Sequence, residues 1–257
     1  SGALINMHRS RRVNELNFQR SWNAARVGSP IVCVGAKKQG ILSLRKWVAR
    51  QTPPAGSLSK HHAVVFWTVR TDRTYEIEPV NVADDEYLKL PGVFSAAGVD
   101  AGSALLAENF DDRIGGRVGD LGAGWGYLST EVLKRSSHVE ALELFDVDWL
   151  SLQSAKENLK SSKVPCEYLW CDVVLVDTTR RFDWIVMNPP FHKTRAAEPE
   201  LGRQFIRKAA ALLKPRGRLL MVANRQLPYE RELAAHFVKV DKLSEIGGFK
   251  VLEAIAR

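Results

Sequence analysis

Short apolar runs rich in β-branched and aromatic side chains alternate along this chain with segments whose apolar positions recur at helical spacing. The alternation is most regular in the second half. It predicts strands at Arg117–Leu121, Val139–Phe145, near Tyr168, Phe182–Met187, Arg218–Ala223 and Phe249–Ala256, and helices at Tyr127–Ser136, Trp149–Lys160, Leu201–Leu213 and Tyr229–His236. Leu152, Ala155 and Leu159 sit at helical spacing in the second helix, and Lys214-Pro215-Arg216-Gly217 ends the third. Strand and helix alternating through roughly 140 residues predict an α/β architecture, a doubly wound and mostly parallel sheet, with ligands beyond the carboxyl ends of its strands.

The first half is less regular. Nothing before Asn14 predicts structure, and the opening Ser1-Gly2 reads as a cloned or processed end. Val13 to Val27 fits a helix imperfectly and Gly28-Ser29-Pro30 stops it; Ile31–Val34 reads as a strand, Leu42–Arg50 as a helix, Pro53 to Ser57 as a break, and Ala63–Val69 as a strand. This small α/β piece is too short for a comfortable core of its own. The acidic, polar stretch Thr71 to Leu90, with Asp84-Asp85-Glu86, reads as a linker, which sets domains at 1–82 and 83–257.

Charge sharpens that division. Residues 1–70 carry 12 Lys/Arg against the single acid Glu15, and residues 71–257 carry 25 against 28, so the net +8 comes entirely from the first segment. Such a one-sided segment attracts phosphate, as a nucleic-acid surface does, although a solvated basic face carries the same composition. No run reaches the roughly 18–20 apolar residues of a membrane span, and no secretory signal core is present, so a cytosolic protein is expected. Cys33, Cys166 and Cys171 lack Cys-x-x-Cys spacing, and His61-His62, His138 and His236 lack ligand spacing. Neither a disulfide framework nor a metal is expected.

Candidate chemistry lies where predicted strands end. Asp120-Leu121-Gly122-Ala123-Gly124-Trp125-Gly126 stands at a strand-to-helix turn, where glycine lets the backbone approach a ligand closely. Its spacing is not the dinucleotide Gly-x-Gly-x-x-Gly fingerprint. Asp146, 26 residues after Asp120, is placed to accept both hydroxyls of a ribose, with Asp148 as the cap of the next helix. Asp172 is placed for an adenine amino group or is an ordinary turn aspartate. Asn188-Pro189-Pro190-Phe191 follows 68 positions after Asp120 and points to methyl transfer onto an amino nitrogen. An exocyclic amine is a poor nucleophile because its lone pair is delocalised into the ring. The Asn188 side-chain oxygen and the Pro189 carbonyl are two acceptors for its N–H groups, the prolines fix their direction, and Phe191 can stack on an unpaired base. No general base is required, so His192 is a site-lining residue. Against this stands a plain Pro-Pro turn with Phe191 in the core.

Together Asp120 to Gly126, Asp146, Asp172 and Asn188-Pro-Pro-Phe-His resemble the class I S-adenosylmethionine-dependent methyltransferases, and most nearly the small-domain group that includes guanine-N2 enzymes of small-subunit ribosomal RNA. Leu90-Pro91-Gly92-Val93-Phe94-Ser95, Asp100-Ala101-Gly102-Ser103 with Leu105-Leu106, Val222 to Tyr229 and Gly248-Phe249-Lys250-Val251 extend the likeness over residues 85–257. Val34-Gly35, Gly40 to Ser43 and Lys60-His61 are similar to the later part of the group's degenerate N-terminal methyltransferase-like domain. The resemblance implies a Rossmann-like methyltransferase sheet with a smaller, partial α/β N-terminal domain, S-adenosyl-L-methionine as cofactor, and a guanine N2 amine as acceptor. It implies a cofactor site of Phe94, Asp120, Gly122, Ala123, Gly124, Asp146, Asp172 and Asn188, and a catalytic motif of Asn188, Pro189, Pro190 and Phe191. Phe191, His192, Lys193 and Arg195 are the expected substrate contacts, the last two departing from the group's usual acidic-glycine continuation. Expected partners are ribosomal RNA or the small-subunit particle, with no membrane, no metal, and a monomeric chain. The tetrapeptide also fits a protein glutamine or a DNA adenine or cytosine amine, and a non-catalytic RNA-binding relict is a third reading.

Overall fold

A computed structural model describes residues 2–8, 10–77, 87–90, 92–95, 98–176, 179, 181–190 and 198–257, the side chain of residue 198 excepted. The chain divides into two units, Ser1–Val80 and Asn81–Arg257.

The first unit begins earlier than the sequence pattern predicts. Strand β1 (Ala3–Asn6) pairs in parallel with β2 (Pro30–Ala36), and helix α1 (Arg11–Ala24) starts ahead of the expected position. Two local devices organise this stretch. Ser10 caps α1, and the Asn14 side chain both accepts from His8 N at 2.7 Å and donates to His8 O at 2.8 Å. Helix α2 (Ile41–Ala49) follows a short 3-10 turn at Lys37–Gln39. Strand β3 (Gly56–Lys60) falls where a break is expected, because an exposed edge strand paired on one side needs no apolar pattern. It pairs with β4 (Ala63–Val69), which lies antiparallel to β2, giving the order β1-β2-β4-β3.

This unit has a core of its own, contrary to the expectation drawn from its length. Phe18, Trp22, Ile31, Cys33, Ile41, Val48 and Phe66 are fully buried. Phe18 meets Trp22, Trp47 and Tyr75 with ring centroids 5.6–6.1 Å apart, and the Trp22 indole donates to Arg73 O at 2.8 Å. Few but large side chains supply the buried area that many small ones would otherwise have to. Phe18→Ala is expected to cost about 3–5 kcal/mol, read as an earlier denaturant midpoint in tryptophan fluorescence; a midpoint within error of wild type would show that this cluster does not hold the unit together.

The second unit is a seven-stranded sheet in the order β10-β11-β9-β8-β5-β6-β7. Helix α3 (Ala101–Glu108) precedes β5 (Gly115–Leu121); α4 (Tyr127–Arg135), β6 (His138–Asp146), α5 (Trp149–Asn158), β7 (Cys166–Trp170), β8 (Phe182–Met187) and α6 (Glu198–Leu212) follow. Then come β9 (Leu213–Asn224), α7 (Glu230–His236), β10 (Phe237–Ile246) and β11 (Phe249–Ala256). Strands β7, β6, β5, β8 and β9 are mutually parallel, and β11 runs antiparallel to both β9 and β10. Two apolar cores cover the two faces: Leu106, Val118, Val132, Leu142, Leu144 and Val186 belong to one, Leu121, Phe182, Ile185, Met187, Ile206 and Met221 to the other. Alternate residues of β5 and β8 thus face opposite cores, as the period of a strand requires.

The doubly wound reading therefore holds, with α3 and β10 added. Helix α3 carries Gly102 and Ser103 among its buried residues and so shows little amphipathic contrast. Strand β10 is mostly exposed on both faces, with no alternation to read. Strand β9 starts at Leu213 rather than Arg218; the register shifts there, with Lys214 to Gly217 of β9 set against the single residue Asp183 of β8.

Candidate active site

The glycine turn connects the end of β5 to the start of α4. Gly122 N and Ala123 N donate to Phe145 O at 2.9 and 3.0 Å, which bends the chain over the neighbouring strand. Gly122 and Gly124 hold φ of 76° and 56°, a region in which other side chains are strained. Gly124 N donates to Asp146 Oδ2 at 2.7 Å, and the other carboxylate oxygen accepts from Asp148 N at 2.8 Å. Asp148 in turn caps α5, accepting from Leu150 N at 3.1 Å and from Ser151 Oγ at 2.7 Å. One carboxylate thus braces the turn while its neighbour starts the helix. Each Asp146 oxygen keeps a lone pair for another donor.

A cavity of about 250 Å³ opens here, lined by the glycine turn, Asp146, Val147, Val173, Phe205 and the motif residues Asn188, Pro189 and Pro190. A narrower one beside it is lined by Ala123, Asp100, Ser103 and Trp125. Phe94, Gly122, Gly124 and Asn188 line both. The expected residues Phe94, Gly122, Ala123, Gly124, Asp146, Asn188, Pro189 and Pro190 are thus brought together. Asp172 is exposed at the turn after β7, where its carboxylate accepts from Val174 N at 3.0 Å; its neighbour Val173 reaches the cavity. Phe191, His192, Lys193 and Arg195 lie outside the described residues, as does the acidic run at 84–86.

Among the described residues, Asp120 Oδ1 and Asn188 Oδ1 are buried polar atoms without a partner near the glycine turn and the Asn188 motif. Asp120 is fully buried; its Oδ2 accepts from Ser129 Oγ at 2.7 Å, and its Oδ1 has no partner among the described residues. Burial pushes its carboxyl up to about 7 against the Ser129 hydrogen bond, and the Asp146 charge adds to the rise. The second atom is Asn188 Oδ1. The Asn188 amide nitrogen donates to Asp100 Oδ2 and to Ser103 Oγ, both at 2.8 Å. An orphaned carboxylate oxygen and an orphaned amide oxygen each cost stability unless a ligand donor completes them. Of the two residues, Asn188 lines both cavities and the expected cofactor residue Asp120 lines neither.

Asp120 therefore makes the protein pH-sensitive without ligand. Its carboxyl ionises near pH 4 when unfolded and near 7 when folded, so the unfolded state releases its proton first and stability falls as pH rises between those values. The expected loss is on the order of a few kcal/mol. Thermal melts of the ligand-free wild type and Asp120→Asn from pH 5 to 8 should diverge, the variant gaining relative stability at the upper end. Parallel curves would remove Asp120 as the source.

Sequence reasoning did not single out Val147, Val173, Phe205 or Ser151 as lining residues, and it noted Asp100 and Ser103 only as part of a resemblance. The apolar ones carry no local signature, since their role depends on which strand end they flank. Among the described residues no helix is long and apolar enough to cross a membrane, and no group of three or more potential metal ligands converges.

Comparison with known proteins shows the family to which the chain belongs. Residues 86–253 match the methyltransferase small domain family. A ribosomal RNA small subunit methyltransferase C from Hahella chejuensis is 31% identical over 97% of this chain and 75% of its own length. One from Haemophilus influenzae is 30% identical over 96% and 78%. The structure of the T. thermophilus 16S rRNA N2 G1207 methyltransferase, in complex with AdoMet and guanosine, superposes with a TM-score of 0.80 at 26% identity, covering 100% of this chain and 74% of that one.

Proposed function

Because this chain belongs to the methyltransferase small domain family, we propose that it is an S-adenosylmethionine-dependent enzyme that methylates the exocyclic N2 amine of a guanine in small-subunit ribosomal RNA, with Asn188 as the acceptor that orients that amine. The observation that carries this reading is that Asn188 lines the cavity and that its buried Oδ1 has no hydrogen-bond partner among the described residues. The relatives named above are ribosomal RNA methyltransferases, and the T. thermophilus complex contains guanosine. They favour RNA over a protein amide or DNA, and the intact polar set at the cavity argues against a relict.

The cofactor, when bound, supplies an electrophilic methyl on a sulfonium. The protein's residues supply placement. Asp146, which braces the glycine turn, would accept from the ribose hydroxyls. Asp120 is fully buried and lines neither cavity, so it would act on the positive amino-acid end of the cofactor as a buried charge beside the glycine turn, and that positive charge would favour its ionised form. Asn188 Oδ1 takes one N–H of the guanine amine, which turns the nitrogen lone pair toward the methyl. The bound cofactor would supply the methyl to that nitrogen with its sulfur as the leaving group, and the surplus amine proton would pass to water. No covalent enzyme intermediate is needed. Pro189 is buried and Pro190 half-buried beside Asn188, which holds the motif in one conformation.

Residues 1–82 hold the RNA backbone in this proposal, supported by the concentration of the net positive charge in residues 1–70. The test is incubation with S-adenosylmethionine and small-subunit RNA lacking the modification, both naked and as the assembled particle, followed by nucleoside mass spectrometry. N2-methylguanosine is expected from at least one form. Its absence from both, with cofactor binding intact, would overturn the substrate assignment.

A further inference from the structure

Asn188 can serve as an acceptor only if its amide is held the right way round, because rotation by 180° about the last side-chain bond exchanges oxygen and nitrogen. Its neighbours decide the orientation. Both N–H bonds of the amide are taken, one by Asp100 Oδ2 and one by Ser103 Oγ, each at 2.8 Å. In the flipped orientation Oδ1 would face a carboxylate oxygen at that distance, acceptor against acceptor. The same Asp100 oxygen accepts from Ser103 N at 2.9 Å, so it caps α3 and holds the amide at once.

The backbone around this pair is shaped for it. Gly102 lies between Asp100 and Ser103, and a Cβ there would come within 3.1 Å of both Asp100 Oδ2 and the Phe249 ring. The carboxylate thus occupies space that any larger residue would contest. At its far end α3 is tied down by Asn109, whose side-chain nitrogen donates to Ser244 Oγ at 3.1 Å and to Leu105 O at 2.8 Å. A capped, anchored helix therefore carries a fixed carboxylate and a fixed hydroxyl to the asparagine just after β8, 85 residues beyond Ser103.

We propose that Asp100 and Ser103 are positioning residues for methyl transfer: they lock the Asn188 amide so that Oδ1 faces the target amine, and the Asp100 charge strengthens that oxygen as an acceptor by polarising the amide. This rests on the reading of Asn188 as the residue that orients the amine. The two residues act through Asn188, so their loss lowers the rate of the bound complex rather than the affinity of the cofactor.

The experiment measures kcat, KM for RNA and the dissociation constant for S-adenosylmethionine in Ser103→Ala, Asp100→Asn, Asn188→Ala, Asn188→Asp and the exchanged pair Asp100→Asn with Asn188→Asp, alongside melting temperature. Ser103→Ala and Asp100→Asn are expected to lower kcat about tenfold to a hundredfold with cofactor affinity within about threefold of wild type. Asn188→Asp sets two carboxylates against each other, whereas the exchanged pair restores a donor to an acceptor and keeps an oxygen for the amine. The pair is therefore expected to turn over faster than Asn188→Asp alone, a recovery that a merely structural role would not produce. Equal or lower activity in the pair, or a loss of cofactor affinity matching the loss of kcat, would overturn the positioning role. Wild-type turnover in Asn188→Ala would instead overturn the underlying reading of Asn188.

Discussion

Asn188→Ala is expected to lower turnover by about 10²–10³-fold, the typical cost of removing one preorganised polar contact to a reacting group, while S-adenosylmethionine still binds. The reason is the division of labour within this side chain. Its nitrogen is consumed by Asp100 and Ser103, and its oxygen is buried with no partner among the described residues. A purely structural asparagine would have both ends satisfied, since a buried acceptor without a donor costs roughly 1–3 kcal/mol. Alanine removes the acceptor and leaves Asp100 its helix-capping contact to Ser103 N, so the fold should persist. The measurement is single-turnover methylation with calorimetric cofactor binding on the same preparation. Retained turnover would mean that the amine is oriented by another group, and lost cofactor binding would move Asn188 from the acceptor side of the reaction to the cofactor side.

Asp146→Ala is expected to weaken S-adenosylmethionine and S-adenosylhomocysteine binding by at least about a hundredfold, since each hydrogen bond to an ionised carboxylate contributes about 1.5–3 kcal/mol. Two effects combine. The side chain is the acceptor on the cavity wall, and it also anchors Gly124 N and Asp148 N at 2.7 and 2.8 Å. Its loss frees the turn whose glycines line the same cavity. Burial raises its carboxyl above the usual carboxylate range, opposed by those backbone N–H groups, so binding of a ribose should favour the ionised form and weaken in acid. Titration calorimetry of wild type and variant near neutral and acidic pH reads both effects. Unchanged affinity in the variant would place the hydroxyl-bearing end of the cofactor elsewhere.

Much of this arrangement is legible in the order of residues alone. Strand β8 and the second half of β9 are buried on both faces and read as short apolar runs, and helices α4 and α5 carry their spacing openly. The glycine turn and Asn188-Pro189-Pro190 announce themselves because their chemistry depends on residue type. What stayed hidden did so for specific reasons. Strand β3 is held by backbone pairing at an edge, and β10 by pairing with β11, so neither needs an apolar alternation. The core of the first unit rests on a few aromatic residues that meet from separate elements, Phe18 and Trp22 from α1, Trp47 from α2 and Tyr75 beyond β4. Length alone cannot report such packing.

By itself the sequence determined the reaction class and the end of the sheet at which it occurs, because strand-ending motifs specify functional groups and their chain order. It could not determine which end of the Asn188 amide is left without a partner among the described residues. That is decided by Asp100 and Ser103, brought from 88 and 85 residues away by the packing of α3 near the end of β8. Nor could it reveal that Asp120 keeps one oxygen without a donor among the described residues, since burial and the lack of a partner are properties of the assembled interior. Residue type is local and readable along the chain; the orientation of an amide and the ionisation of a carboxylate depend on neighbours that only the folded chain supplies.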